Sequence, residues 1–179
     1  MKEMDGVKVS KKITVILATN DPKELDPKIL SRMDEREEVA LPDAKGLFSI
    51  IQIHLKQMEK KFNIEVQKDK LNLDEISVKA YELKLSGRDV RDILGILNRK
   101  RGQLQLNKIM DAIKNGRIPT VEGLDETDIV KNVVSRIKQR NVEGIEDLVL
   151  PPIANDELME SFIRGKTAIE DKKRKMGFV

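Results

Sequence analysis

The most informative part of this sequence is the stretch Ile13-Thr14-Val15-Ile16-Leu17-Ala18-Thr19-Asn20, an apolar, β-branched run that ends in a small polar pair. Residues 13–18 are apolar on both faces, which is typical of a strand buried in a parallel sheet. We therefore predict a strand over residues 13–18, with Asn20 directly beyond its carboxyl end. Ligands of open α/β sheets bind at such strand ends, so Asn20 is a candidate site residue.

The residues after Asn20 predict a helix and a second strand. Pro27 suits the first turn of a short helix that extends through Arg32. Glu38 to Leu41 is predicted to be a short strand, which Pro42 stops. These elements indicate part of an α/β core.

Beyond Pro42 the pattern becomes helical. Asp43 is predicted to cap a long helix. A second helix is predicted over about Leu71 to Lys84, and Ser86-Gly87 starts a third that can continue as far as Ile113. The long helix has apolar positions with a 3.6-residue period, and His54 lies on the same stripe: Leu47, Ile50, Ile51, Leu55 and Met58.

The stretch from Gly116 to Gly123 is predicted to be a linker, and two amphipathic helices follow it. Their apolar positions are Val130, Val133, Val134 and Ile137 in one, and Leu158, Met159, Phe162 and Ile163 in the other. The predicted fold class is therefore α+β and mostly helical, with two short strands followed by helices only.

The composition excludes several classes of site. The 179 residues contain no cysteine and one histidine, so thiolate chemistry and a multi-histidine metal cluster are excluded. Charges of both signs are mixed along the chain, and the net charge of +3 does not by itself indicate nucleic acid. No run approaches the roughly 20 apolar residues of a membrane span, so we expect a cytoplasmic protein without membrane contact.

Asn20 has two interpretations when it is considered alone. A short amide at a strand end can orient a water molecule for attack on a phosphate without bringing charge to it. An asparagine before Asp21-Pro22 can also simply form an Asx-turn.

The neighbouring motifs favour the first interpretation. Ala18-Thr19-Asn20 resembles the sensor 1 motif of AAA ATPases, and Met4-Asp5-Gly6 resembles the end of the helix that follows their Walker B motif. Leu41-Pro42-Asp43 resembles the hinge into the lid, and Ile53-His54-Leu55-Lys56 the first lid helix. Leu25-Asp26-Pro27 resembles the helix after sensor 1. The chain thus resembles the C-terminal portion of an AAA+ module, in the unfoldase and proteasomal-ATPase group.

The resemblance implies that Arg32 is an arginine finger. A guanidinium is always charged and offers a rigid fork to the phosphate oxygens of a neighbouring subunit's nucleotide. Many members carry a second arginine three residues later, where this chain has Glu35, and Arg36 lies one step further on. Either Arg36 substitutes for that arginine or the interface is weakened. The alternative is that Arg32 is a surface residue at a helix end.

Four further residues are candidates for nucleotide binding. The resemblance implies that His54 lines the base and ribose, although a lone histidine on an apolar stripe is also typical of a packed core residue; both interpretations predict burial. Gly87 would let the backbone approach the adenine. Arg88 or Arg91 could reach the phosphates, or both could be solvated at a helix N-terminus.

Two other motifs are interpreted as structural. Gly165-Lys166-Thr167 imitates the end of a P-loop, but Glu160 stands where the first glycine is required and the stretch is predicted to be helical. The basic run Lys172-Lys173-Arg174-Lys175 is expected to be a solvated, frayed tail.

These observations predict three parts: residues 1–42 from the large subdomain, 43–115 as a helical lid, and 116–179 as a helical extension. No P-loop and no apolar run ending in Asp-Glu precede Asn20. The complete module would use ATP and Mg²⁺, but this chain alone is not expected to bind ATP tightly or to hydrolyse it, and no metal ligands are assigned.

The resemblance implies partners. They are the N-terminal half of the module or neighbouring subunits of a homo-oligomeric ring, with a protein substrate. The alternative is an ATP-independent helical module that binds a protein, or more weakly nucleic acid, through residues 116–179.

Overall fold

The structure is a computed structural model that describes residues 16–62, 66, 70–119 and 123–175. Contacts divide the chain into two compact units, Met1–Val39 and Ala40–Val179. The first unit is called the motif segment below, and the second is called the helical body.

The described part of the motif segment contains two short helical elements. A 3-10 turn covers Pro22–Glu24, and helix α1 covers Pro27–Leu30. Each has an aspartate cap, because the Asp21 carboxylate accepts from the Lys23 N–H at 2.9 Å and the Asp26 carboxylate accepts from the Lys28 N–H at 2.8 Å. The helix predicted at Pro27 is confirmed, although it ends at Leu30 rather than at Arg32.

The two predicted strands differ from the structure. Residues 13–15 lie outside the described residues, and residues 16–19 have no regular structure. The prediction of a strand over Glu38–Leu41 is wrong, since these residues form no ladder and are exposed, Val39 to 96%. A strand without a hydrogen-bonding partner leaves its N–H and C=O groups to water, so β-propensity alone cannot hold it.

The helical body starts with three helices, and they follow the predicted pattern closely. Helix α2 covers Ala44–Phe62, α3 covers Leu73–Glu82 and α4 covers Gly87–Lys114. The Asp43 carboxylate accepts from the Gly46 N–H at 2.7 Å, which confirms the predicted cap of α2. Helix α4 continues without interruption through its two internal glycines.

Two more helices complete the body. Helix α5 covers Glu126–Lys138, and α6 covers Asn155–Lys175, with a 3-10 turn at Glu146–Leu148 between them. The predicted linker lies between α4 and α5, and its residues 120–122 are outside the described residues. The stretch Gly165-Lys166-Thr167 is inside α6, so the prediction that it is helical is confirmed.

Helix α4 is shared by two hydrophobic cores. The first core joins α2, α3, the N-terminal half of α4 and α6; its most enclosed side chains include Leu47, Ile51, Ile76, Val90, Leu158 and Phe162. The second core joins the C-terminal half of α4 to α5 and the 3-10 turn; its members include Ile109, Ala112, Ile129, Val133 and Leu148. The mostly helical fold class is therefore confirmed, and α6 packs into the same core as α2, α3 and α4.

Candidate functional site

Asn20 lies in a turn that its neighbours hold. The Thr19 hydroxyl accepts from the Asp21 N–H and donates to the Asp21 carbonyl, both at 3.1 Å. Asp21 in turn caps the 3-10 turn that follows. These hydrogen bonds come from residues 19 and 21, and the Asn20 side chain is exposed. The Asx-turn interpretation would have required the Asn20 amide itself to close the turn.

Arg32 and Arg36 both follow helix α1 but differ in exposure, since Arg36 is exposed. Arg32 is half-buried. The Arg36 guanidinium donates to the Leu30 carbonyl at 2.7 Å, which satisfies one of the free carbonyls at the end of α1. Arg36 therefore stabilises the turn that carries Arg32, and Glu35 is exposed.

The helical body brings three of the four remaining candidates to one face of α2 and α4. The two helices meet at Gly87, where an added Cβ would lie 3.4 Å from the Ile50 Cδ1 atom. One turn further along each helix, His54 and Arg91 line the same cavity of about 400 Å³. His54 is half-buried, so the predicted burial is only partial. The side chain lies at the rim of a groove rather than inside the core.

Arg88 lies apart from this groove. It is exposed on the first turn of α4 and is not among the groove-lining residues. Helix α4 begins with a capping box, in which the Ser86 hydroxyl accepts from the Asp89 N–H at 3.2 Å. The Asp89 carboxylate accepts from the Ser86 N–H at 2.8 Å and from its hydroxyl at 2.7 Å. Asp89 is therefore a structural residue.

The groove also contains polar residues that the sequence did not single out. They are Gln57 on α2, and Asn98 and Arg99 on α4. Helical periodicity could have identified Asn98, because this residue lies two turns after Arg91 on the same helix. The groove is cationic, although Asp92 partly neutralises Arg91 through an ion pair of 3.0 Å. Amide and guanidinium groups of this kind suit the oxygen atoms of a nucleotide.

Sequence reasoning also missed the buried Arg101, which joins α4 to the chain around α6. Arg101 is 7% exposed, and its Nη1 atom lies 2.6 Å from the Glu157 carboxylate. Its Nη2 atom donates to the Pro151 carbonyl, while Nε has no hydrogen-bond partner. Two further side chains of α4 donate to the same segment: Gln105 to the Leu148 carbonyl and Lys108 to the Asp147 carbonyl. These hydrogen bonds from Arg101, Gln105 and Lys108 hold residues 147–151 against α4.

Two exposed ion pairs elsewhere in the helical body change the pKa values of Asp147, Arg117 and Lys131. A hydrogen bond from Arg117, together with its charge, lowers the pKa of Asp147 below its usual value, and the same ion pair of 2.8 Å raises the pKa of Arg117. A hydrogen bond to Asp128 raises the pKa of Lys131. These pairs are exposed and hold local structure.

The described residues contain neither a metal cluster nor a membrane-spanning helix. No group of three or more histidine, cysteine or acidic side chains in them is arranged to hold a metal ion. Within the same residues, no helix has the length and apolar character needed to cross a membrane.

Comparison with known proteins gives matches over part of the chain. Residues 1–41 match the model of the ATPase family associated with various cellular activities (AAA). The ATP-dependent zinc metalloprotease FtsH of Neorickettsia risticii is 38% identical over 66 residues, which cover 36% of this chain and 10% of that protein. The 26S proteasome regulatory subunit 7 of Caenorhabditis elegans is 42% identical over 60 residues, which cover 32% of this chain and 14% of that subunit.

A 26S proteasome regulatory subunit homolog of Methanocaldococcus jannaschii is 35% identical over 92 residues, which cover 51% of this chain and 22% of the homolog. No solved structure matches. The chain spans between about a tenth and about a fifth of the length of these relatives. The chain therefore contains part of an AAA ATPase module, as its sequence predicted.

Proposed function

We propose that this chain supplies the second half of an AAA ATPase module that works in a ring. Asn20 orients the attacking water, Arg32 acts on a neighbouring subunit's nucleotide, and the groove between α2 and α4 contacts the base and ribose side of ATP. The module remodels a protein substrate. The observation that carries the proposal is the family match over residues 1–41, which includes Asn20 and Arg32.

The groove supports the nucleotide part of the proposal. Helices α2 and α4 meet at Gly87, and His54 and Arg91 line one cavity one turn further along each helix. An imidazole at the rim can contact a base or ribose, and Arg91 or Arg99 can pair with phosphate oxygens. Arg88, which lies outside the groove, is assigned a smaller role than Arg91.

The contacts of the motif segment support the two catalytic assignments. The amide of Asn20 is exposed because Thr19 and Asp21 close the turn. Arg36 donates to the end of α1, and Arg32 is the arginine that we assign to the finger because of its place in the matched residues. A finger in trans accelerates hydrolysis by about 10³–10⁵-fold.

The assignment gives each part of the chain a different role in the module. Residues 1–42 form part of the large subdomain, 43–115 form the lid, and 116–179 form an extension of it. A separate N-terminal half or neighbouring subunits hold the phosphates and Mg²⁺, and the assembly is cytoplasmic. ATP binding closes the lid about Pro42.

Reconstituted hydrolysis tests the catalytic assignments. The full chain is mixed with a protein that carries the P-loop half of an AAA module, and phosphate release from ATP is measured. Arg32→Ala should reduce the stimulated rate by at least about 10³-fold. Lys28→Ala, which removes an exposed cation from helix α1 four residues before Arg32, should leave the rate unchanged. Equal rates for Arg32→Ala and the unmodified chain would instead favour the ATP-independent binding module.

Nucleotide affinity tests the groove in the same mixture. His54→Ala and Arg91→Ala should each weaken ATP binding about tenfold, the effect of losing one charge-assisted or well-placed hydrogen bond. Arg88→Ala should change the affinity less than either. If Arg88→Ala has the larger effect, the phosphates lie at the first turn of α4 and the groove assignment is wrong.

A further inference from the structure

Helix α6 runs antiparallel to α4, and two contacts fix their register. Arg101 of α4 pairs with Glu157 of α6 at 2.6 Å. Ile93 of α4 lies against Gly165 of α6, where an added Cβ would be only 2.5 Å from the Ile93 Cγ1 atom. The same number of residues separates the two contact positions on each helix, so the helices remain side by side between them.

This register places the end of α6 beside the beginning of α4. At 1.5 Å per residue, the distance along α4 from Ile93 back to Gly87 is about 9 Å, and along α6 from Gly165 to Lys175 it is about 15 Å. Ile169 still packs against the first core, so α6 continues along the body. The last turn of α6 therefore extends past the first residue of α4. The basic run expected to be a frayed tail is helical through Lys175.

The same end of the body contains the start of α2 and the end of α3. A cavity of about 380 Å³ is lined by Leu41 and Pro42 at the predicted hinge, by Tyr81 at the end of α3 and by Lys84 just after it. Gly87 at the start of α4 is next to Ile50 in the early part of α2. We call this surface the hinge end; it is formed by the start of α2, the end of α3, the start of α4 and the end of α6.

The hinge end has a concentration of exposed cations. They are Lys45, Lys84, Arg88, Lys172, Arg174 and Lys175. None of them forms an ion pair with another described residue.

Most acids at the hinge end are already engaged. Asp43 caps α2, and Asp89 belongs to the capping box of α4. Glu82 pairs with Lys79 at 2.8 Å, and Glu170 pairs with Lys166 at 3.3 Å. Asp43, Asp89 and the exposed Asp171 keep their negative charges, and the six unpaired cations outnumber them among the described residues, so the surface has a positive excess.

We propose that the hinge end is a binding surface for the phosphodiester backbone of single-stranded nucleic acid. Its cations are spread over the ends of four helices, and packed helices lie about 8–10 Å apart. A compact anion such as a triphosphate can contact one or two of these cations. A flexible strand with one phosphate per nucleotide can contact them in succession. Aromatic residues make up only 3% of the chain, so binding depends on phosphate contacts rather than on stacked bases.

The lysines of α6 also have a structural effect, which the test separates from binding. Cations in the last turn of a helix interact favourably with its dipole. Replacing them therefore lowers helix stability slightly, whether or not the surface binds nucleic acid. Thermal unfolding reports this effect, and the salt dependence of binding does not.

Fluorescence anisotropy with a labelled oligothymidylate of about 20 nucleotides tests the proposal on the full chain. The logarithm of the affinity should fall linearly with the logarithm of the salt concentration. The double variant Lys172→Glu with Lys175→Glu should lose at least about tenfold in affinity at low salt. The steepness of its salt dependence should fall by about 1.4, the value for two lost single-strand phosphate contacts.

A matched control makes the same change in charge on the exposed surface beside the second core. Lys114→Glu with Arg140→Glu replaces two exposed cations there and should leave the salt slope unchanged. Equal losses in the two double variants would reduce the effect to net charge and overturn the proposal. So would the absence of binding, displacement by ATP at equal phosphate concentration, or equal binding of a polyglutamate peptide.

Discussion

The motif segment and the helical body differ in what holds them. The described motif segment has helical elements of three and four residues with no buried side chain, closed by local caps from Asp21 and Asp26. The helical body is instead held by two hydrophobic cores, which share helix α4. Yet the family match lies in residues 1–41, almost entirely outside the body. The family model therefore matches residues that contribute little to the two cores, whereas the similarity to individual relatives, over 60 to 92 residues, extends into the body.

The largest predicted effect tests the core of the body. Phe162 is fully buried in the first core, so Phe162→Ala should lower the free energy of unfolding by about 3–5 kcal/mol. Ile163 is the next residue on α6 and is 45% exposed, so Ile163→Ala should cost much less. Urea denaturation followed by circular dichroism measures both values. Similar losses would mean that α6 does not pack as described.

The next effect concerns the buried Arg101. Arg101→Ala leaves the Glu157 carboxylate and the Pro151 carbonyl without their partner. We expect a loss of about 2–3 kcal/mol, less than for a fully enclosed pair, because the Glu157 side chain is 34% exposed. Arg101→Met combined with Glu157→Leu should recover most of it, since an apolar pair needs no desolvation of charge. If the double variant is less stable than Arg101→Ala, the ion pair is the stronger interaction.

The two regions can be compared by the loss of stability that follows when one helix cap is removed from each. Ser86→Ala removes the cap of α4, which is shared by both cores, and should cost about 1 kcal/mol. Asp26→Ala removes the cap of α1 in the motif segment and should not change the unfolding midpoint of the body. Chemical denaturation of the two variants in parallel measures this difference. An equal cost for both would show that the motif segment and the body unfold as one unit.

The smallest predicted effect depends on pH. Arg117 lowers the pKa of Asp147 in the folded chain, so this pair stabilises the fold above the unfolded pKa of aspartate, about 3.9. The contribution is lost as the pH falls through the lower folded pKa. Asp147→Asn should therefore lower Tm slightly at pH 7, and the difference should disappear in strong acid. Glu143→Gln, at an exposed acid nearby, should show no such convergence. A Tm difference that grows as the pH falls would contradict the assignment.

Much of the body could be predicted from sequence because helical order is local. The period of Leu47 to Met58 and the capping Asp43 predicted α2, and the Ser86-Gly87 break located the start of α4. The strand at Glu38–Leu41 was predicted wrongly because a strand depends on a partner that the sequence does not specify. The predicted burial of His54 is only partial. Its position on the stripe is correct, but the groove between the helices leaves it at the rim.

The sequence by itself determined the AAA relationship, the positions of the helices and their caps, because these depend on neighbouring residues and on short-range hydrogen bonds. Only the tertiary structure decided that α6 joins the first core, that Arg101 is buried, and that the end of α6 meets the start of α4. Those outcomes depend on contacts between residues more than 50 positions apart, which no local pattern encodes.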